Sequence, residues 1–171
     1  MAEHFLETDD RVASIQREWA RERPDVDVSP QGIIGRLHRI SARLTDELAV
    51  VFRDYGISAG EFDVLAALRR AGDPFERTPT DLAERTMITS GGLTKRVDRL
   101  EGAGLVQRRP SDHDGRGRVV ALTEAGRALV DAAFTRHMQN EHRLVGQLDE
   151  DDRRALELAL TRWLARLPDV G

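Results

Sequence analysis

The chain has 171 residues, 40% hydrophobic and 33% charged, with a formal net charge of −4 and no cysteine. That length and mixture suit one packed domain with additional helices and exclude a disordered chain. The missing thiols exclude disulfide scaffolds, cysteine-ligated zinc and thiol redox sensing, and the acidic total excludes indiscriminate coating of nucleic acid while leaving room for a local basic surface. No apolar run is long enough to span a bilayer, and Met1 to Asp10 is acidic, without the cationic-then-apolar layout of a secretory signal. The cytoplasm is the expected location, with no membrane partner.

In chain order, Val12, Ile15 and Trp19 share a helical face over about Asp9 to Arg21, and Pro24 to Asp27 reads as a linker. Ser29 and Pro30 have the chemistry of an N-cap and first helical residue. From there Ile33, Leu37, Ile40, Leu44, Leu48 and Val51 mark one stripe of a long helix that stops at Gly56. Ser58 and Glu61 match a capping box for a short helix through Phe62, Leu65 and Leu68. Thr78 and Pro79 open another through Leu82 and Ala83. A turn at Met87 to Thr89 leads to a helix over Ser90 to Glu101 with Leu93, Val97 and Leu100 inward. Leu105 to Arg108 and Val119 to Leu122 read as strands of a hairpin. Thr123 caps a long helix carrying Leu129, Phe134 and Met138, and Asp149 opens a last one with Leu156, Leu160, Trp163, Leu164 and Leu167 on its apolar face.

A mainly α chain with a small β-hairpin placed after two short, closely spaced helices is the footprint of a winged helix-turn-helix. Ser90, Gly91, Gly92, Thr94 and Lys95 occupy the first turns of the second of those helices, the part that meets base edges in such folds. Two readings of the glycines stand, close approach of the backbone to a phosphate or a loosely formed turn, since each costs roughly 1 kcal/mol of helix propensity. Between Lys95 and Arg118 seven basic residues face four acidic ones, a local +3 in an acidic chain. Concentrated positive charge of this kind is the electrostatic mark of a DNA surface.

Two stretches, TMITSGGLTKRVDRLEGAGLV from Thr86 and RRPSDHDGRGRVVALTEAGRALV from Arg108, resemble the MarR family of bacterial transcription regulators. The pattern R-x-x-x-x-D-x-R falls on Arg109, Asp114 and Arg116, and the LTEAG turn on Leu122 to Gly126. The resemblance spans about Ser29 to the C-terminus. It implies a homodimer joined by its first and last helices, about residues 29–54 and 123–168, around a DNA-binding part at about 58–122; residues 1–28 would be an extra helix and linker. It also implies that Arg116 enters the minor groove with Asp114 holding its guanidinium as a forked ion pair. The DNA-facing set is then Ser90, Gly91, Gly92, Thr94, Lys95, Arg99, Arg109, Asp114 and Arg116, on a pseudo-palindromic double-stranded operator.

The segment before Ser29, RPDVDVSPQGIIGRLHRI and Trp19 resemble a urate-responsive, PecS-like branch of that family. By that resemblance Trp19, Asp63, Arg96 and Arg108 would bind a small anionic aromatic effector. A planar purine anion needs a cationic fork, an acceptor for its ring N–H groups and a flat apolar surface, which Arg, Asp and Trp supply. Structural roles stay open beside this: Trp19 as an anchor, Asp63 as complement to a helix dipole, Arg96 as a phosphate contact. The branch carries an Asn in its pocket where this sequence has Ala71 or a neighbour.

His137 and His142 are not an i, i+4 pair, and no H-E-x-x-H, G-x-S-x-G or phosphate-loop pattern occurs. No metal, no cofactor and no enzymatic activity are expected. The expectation is a repressor released from DNA by its effector; the alternatives are a MarR-type regulator of another phenolic or lipophilic ligand, or a winged helix that docks a protein.

Overall fold

The computed structural model describes residues 10–86, 90–110 and 117–168. Among them the order is α1 (Arg11–Glu22), α2 (Gln31–Asp54), α3 (Ala59–Arg69), β1 (Glu76–Arg77), α4 (Pro79–Arg85), α5 (Ser90–Gly102), β2 (Val106–Pro110), β3 (Arg118–Leu122), α6 (Glu124–Val145) and α7 (Glu150–Leu164). The chain divides within α2 into two units, Met1–Glu47 and Leu48–Gly171. No helix among the described residues is long and apolar enough to cross a membrane.

In the first unit α1 is too short to hold by propensity alone, and its ends are tied to α2. Asp10 accepts the Ala13 amide at 2.8 Å and also receives Arg36 Nε at 2.8 Å. The amide first and the guanidinium second hold the Asp10 carboxyl below its usual pKa. Val12 is buried against Gly35, where an added Cβ would come within 3.1 Å of it. Gln16 donates across to the Val28 carbonyl at 3.1 Å. Ser29 departs from the capping role expected of it. Its N–H and hydroxyl both donate to Asp27, at 2.9 and 3.0 Å, so the linker closes on itself before α2 begins.

The second unit is built around α3. Val64, Leu65 and Leu68 are wholly buried, and Leu82, Leu93, Leu100, Val120 and Val130 come from the surrounding elements to meet them. Each such side chain contributes about 1.5–3 kcal/mol by leaving water. The capping box is present as the sequence indicated, with the Ser58 side chain on the Glu61 amide and the Glu61 side chain on the Ser58 amide.

The expected hairpin is the β2–β3 pair, with Val106 opposite Leu122 and Arg108 opposite Val120. A third strand, β1, adds Glu76 opposite Ala121 and Arg77 opposite Val120 on the other edge of β3, giving the antiparallel order β1-β3-β2. Its entry is fixed by Phe75, whose backbone is left-handed at φ 58°. A bulky residue is strained there. It is held by hydrogen bonds from its own amide to Gly72 and from the Leu122 amide to its carbonyl, and by Arg69 and Arg127 against its ring at 5.1 and 4.6 Å.

The turn from β3 into α6 is equally determined. Thr123 caps the helix by accepting the Gly126 amide at 3.0 Å, while its hydroxyl donates to Gly104 and its own amide to Leu105. The Leu105 carbonyl then lies where a Cβ on residue 126 would be, 1.9 Å away. Gly126→Ala should therefore destabilise the protein, by about 1–3 kcal/mol as an overpacking change, although Ala is the better helix former by about 0.8–1 kcal/mol. Urea unfolding reads the sign; a stabilised variant would show that this close approach is not a constraint.

Candidate nucleic-acid interface

The helix pair is set up from α3 outward. Thr78 caps α4 with Pro79 in its first turn. Asp81 on that helix binds both Arg77 and, at 2.7 Å, Arg85, and Arg77 donates onward to the Ala67 carbonyl of α3 at 2.9 Å. The two arginines hold the Asp81 carboxyl below its ordinary pKa, Arg77 contributing most. The buried Thr86 hydroxyl donates to Leu82 at 2.7 Å and ends the helix.

Ser90 and Gly91 form the opening turn of α5, and Gly92 is half-buried. Leu93, Val97 and Leu100 are buried against the core, which turns Thr94, Lys95, Asp98 and Arg99 to the solvent. An apolar seam at this spacing fixes the rotation of the helix about its axis, so the polar set faces outward as a group.

The basic residues differ in how they are engaged. Arg99 is 72% exposed, yet its Nε lies 3.1 Å from the Glu61 carboxylate, which is almost fully buried. Arg96 lies flat on the first turn of α3; a Cβ on Gly60 would come 2.3 Å from its Nε. Arg108 is held by Asp98 at 2.5 Å and by Glu101. Burial alone would depress its pKa, but the hydrogen bonds to Asp98 and Glu101 outweigh it and the net shift is upward. Arg109 reaches Glu76 on β1. Residues directly opposite in antiparallel pairs share a face, so Arg109, Val119, Ala121 and Glu76 lie on one side of the sheet and the guanidinium crosses β3 to its partner.

Asp63 lines a cleft of about 430 Å³ between α3 and α6, with Phe62, Arg70, Phe134 and His137. His137 turns Nε2 toward the Glu141 carboxylate at 3.1 Å as the donor, stands 5.2 and 5.3 Å from the Phe52 and Phe62 rings, and keeps a buried Nδ1 without a partner. Among the described residues no ion pair joins Asp63 to Arg96. Trp19 is on α1, in the first unit, and half exposed. Asp114 and Arg116 lie outside the described residues. In the sequence Glu61 is legible only as a cap, and nothing there marks Glu76 as the partner of Arg109.

Residues 55–117 match the model of the MarR family. The transcriptional regulator PecS of Dickeya dadantii is 39% identical over 88% of this chain and 91% of its own length. The chain belongs to the MarR family. A mutant of Escherichia coli MarR bound to operator DNA superposes with a TM-score of 0.67 at 30% identity, covering 81% of this chain and 99% of that one. BpsR of Bordetella bronchiseptica, whose DNA binding is regulated by 6-hydroxynicotinic acid, gives a TM-score of 0.66 at 25% identity over 78% of this chain and 93% of its own. This protein is thus a PecS-like, DNA-binding transcriptional regulator with a winged-helix fold, and its relatives are regulators rather than enzymes.

The clamp on Arg108 carries a pH signature. The Arg108 amide first, and its guanidinium next, hold the Glu101 carboxyl below its usual 4.5. A folded-state pKa below the unfolded one gives stability that is present above about pH 4.5 and lost as pH falls through the folded value. Glu101→Gln should lower the urea midpoint at pH 7, with the gap to the parent closing as the pH is taken below 4. A gap independent of pH would mean that the charge on Glu101 contributes nothing.

Proposed function

We propose that this regulator is a cytoplasmic homodimeric repressor that reads a pseudo-palindromic operator with α5 and the loop between β2 and β3. The carrying observation is the split of α5, whose buried Leu93, Val97 and Leu100 leave Thr94 and Lys95 exposed by its N-terminal turns and Arg99 exposed in its last turn. Ser90, Gly91, Gly92, Arg109, Asp114 and Arg116 complete the DNA-facing set, Arg116 in the minor groove. Dimerisation is supported by apolar surface the lone chain leaves open. No residue of α7 is buried, and Leu158, Leu160 and Leu164 stand exposed on it, as do Ile33 and Ile40 on α2. Exposed apolar area of that extent marks an interaction face, and two-fold pairing gives half-sites about one helical turn apart.

DNA binding is attenuated by a small anionic aromatic, with urate as the leading candidate and Trp19, Asp63, Arg96 and Arg108 as its residues. The cleft at Asp63, with aromatic rings and the unpartnered Nδ1 of His137, suits a flat heterocycle. That BpsR answers to 6-hydroxynicotinic acid favours the same ligand class here. Arg108 would have to be shared with Asp98 and Glu101.

Two measurements test the halves separately. Arg116→Ala should weaken binding to the DNA upstream of the protein's own gene and leave thermal unfolding unchanged; parental affinity would remove the loop from the mechanism. Calorimetric titration with urate and with 6-hydroxynicotinate should give heat that Asp63→Ala and Trp19→Phe reduce, and silence with both ligands would end the effector reading.

A further inference from the structure

The carboxylate of Glu61 has a geometry that helix capping alone does not require. Its side chain is 3% exposed. Oε2 accepts the Ser58 amide at 2.7 Å and the Ser58 hydroxyl at 2.8 Å, and that hydroxyl oxygen in turn accepts the Glu61 amide at 3.3 Å. These bonds fix the carboxylate within the first turn of α3. Oε1 is left facing α5, where it meets Arg99 Nε.

Nε is the guanidinium nitrogen nearest that oxygen, so the ion pair draws the inner edge of the group toward α3, and among the described residues no hydrogen bond engages its terminal nitrogens, which stay available as a fork. Arg99 is largely exposed, so that fork is presented outward from the face of α5 that carries Lys95. Holding a long side chain in place before binding removes a rotamer-entropy cost at the moment of contact.

We infer that Glu61 is a positioning residue for DNA binding, orienting the Arg99 guanidinium to donate to a backbone phosphate. The inference rests on Arg99 facing DNA, as proposed above. Its sign is unusual. Glu61 is an acid next to a phosphate-binding surface, and simple charge counting says that neutralising it should strengthen binding. Orientation says the opposite.

Glu61→Gln separates the two effects, because glutamine retains the capping-box acceptor and removes the charge. Operator affinity would be measured over a salt series for the parent, Glu61→Gln, Arg99→Ala and the double variant, with a melting curve for each. Arg99→Ala should weaken binding and flatten the log–log salt slope by about 0.9, the mark of one phosphate contact. Glu61→Gln should weaken binding by roughly three- to tenfold, a tenfold loss being about 1.4 kcal/mol, and should have no weakening effect once Arg99 is Ala. Arg99→Lys leaves Glu61 and the cap untouched and keeps the charge but not the forked geometry; it should bind more weakly than the parent with an unchanged slope, and decides the matter should Glu61→Gln fail to fold. Parental or tighter binding by Glu61→Gln, equal losses with and without Arg99, or parental affinity of Arg99→Lys would each overturn the inference. An Arg99→Ala variant with parental affinity and slope would instead remove Arg99 from the DNA surface.

Discussion

The first turn of α3 has to meet two demands at once. Val64, Leu65 and Leu68 are wholly buried, so α4, α5, α6 and the sheet must close around this helix. A helix so enclosed leaves its first amides without water, and an unpaired buried donor costs about 1–3 kcal/mol. The Ser58–Glu61 capping box satisfies them, but it does so by bringing a carboxylate into the interior. That carboxylate needs a cation, and the cation is supplied by α5. Packing thereby fixes where α5 lies, and the cap sets the carboxylate that Arg99 of that helix meets.

Magnitudes decide how the labour is divided. An exposed ion pair contributes about 0–1 kcal/mol, whereas each leucine in the seam of α5 contributes two or three times as much by burial. That magnitude applies to exposed pairs alone; the pairs of Arg99 and Arg109 also match carboxylates, Glu61 and Glu76, that are largely buried. The pairs also set orientation: Arg108 joins the end of α5 to β2, and Arg109 joins β2 to β1 across β3. The rim of the sheet and α5 are thus kept in register by paired charges.

Much of this was legible in the residues themselves. The caps at Ser58, Thr78 and Thr123 and the seam Leu93, Val97, Leu100 are local patterns, and the structure has them where the sequence puts them. The LTEAG turn gains a reason: its glycine is the residue that admits the Leu105 carbonyl. Ser29 does not cap because α2 begins two residues later, at Gln31, and the Ser29 amide and hydroxyl turn back onto Asp27, a local choice that composition leaves undecided. Strand β1 was out of reach, since two residues cannot show an alternation and Glu76–Arg77 is extended only because β3 is there to pair with it. The count of charge between Lys95 and Arg118 includes Arg109, and the acid that engages it, Glu76, lies outside that window and is brought to it by the fold.

The same helix that grips Arg99 also lines the cleft with Asp63. Glu61 and Asp63 are two residues apart, so they point to different sides of α3, one toward the recognition helix and the other toward α6. A ligand changes DNA affinity only if it binds the DNA-competent and DNA-incompetent geometries unequally. A contact at Asp63 that shifted α3 along or about its axis could not leave the Glu61 carboxylate where it was, because the capping bonds tie that carboxylate to the helix's own first turn. Arg99 would then lose its anchor without any effector reaching the DNA-facing surface. If an effector binds at Asp63 as proposed, its effect on Arg99 needs no long relay, only one rigid helix with an acid on each side.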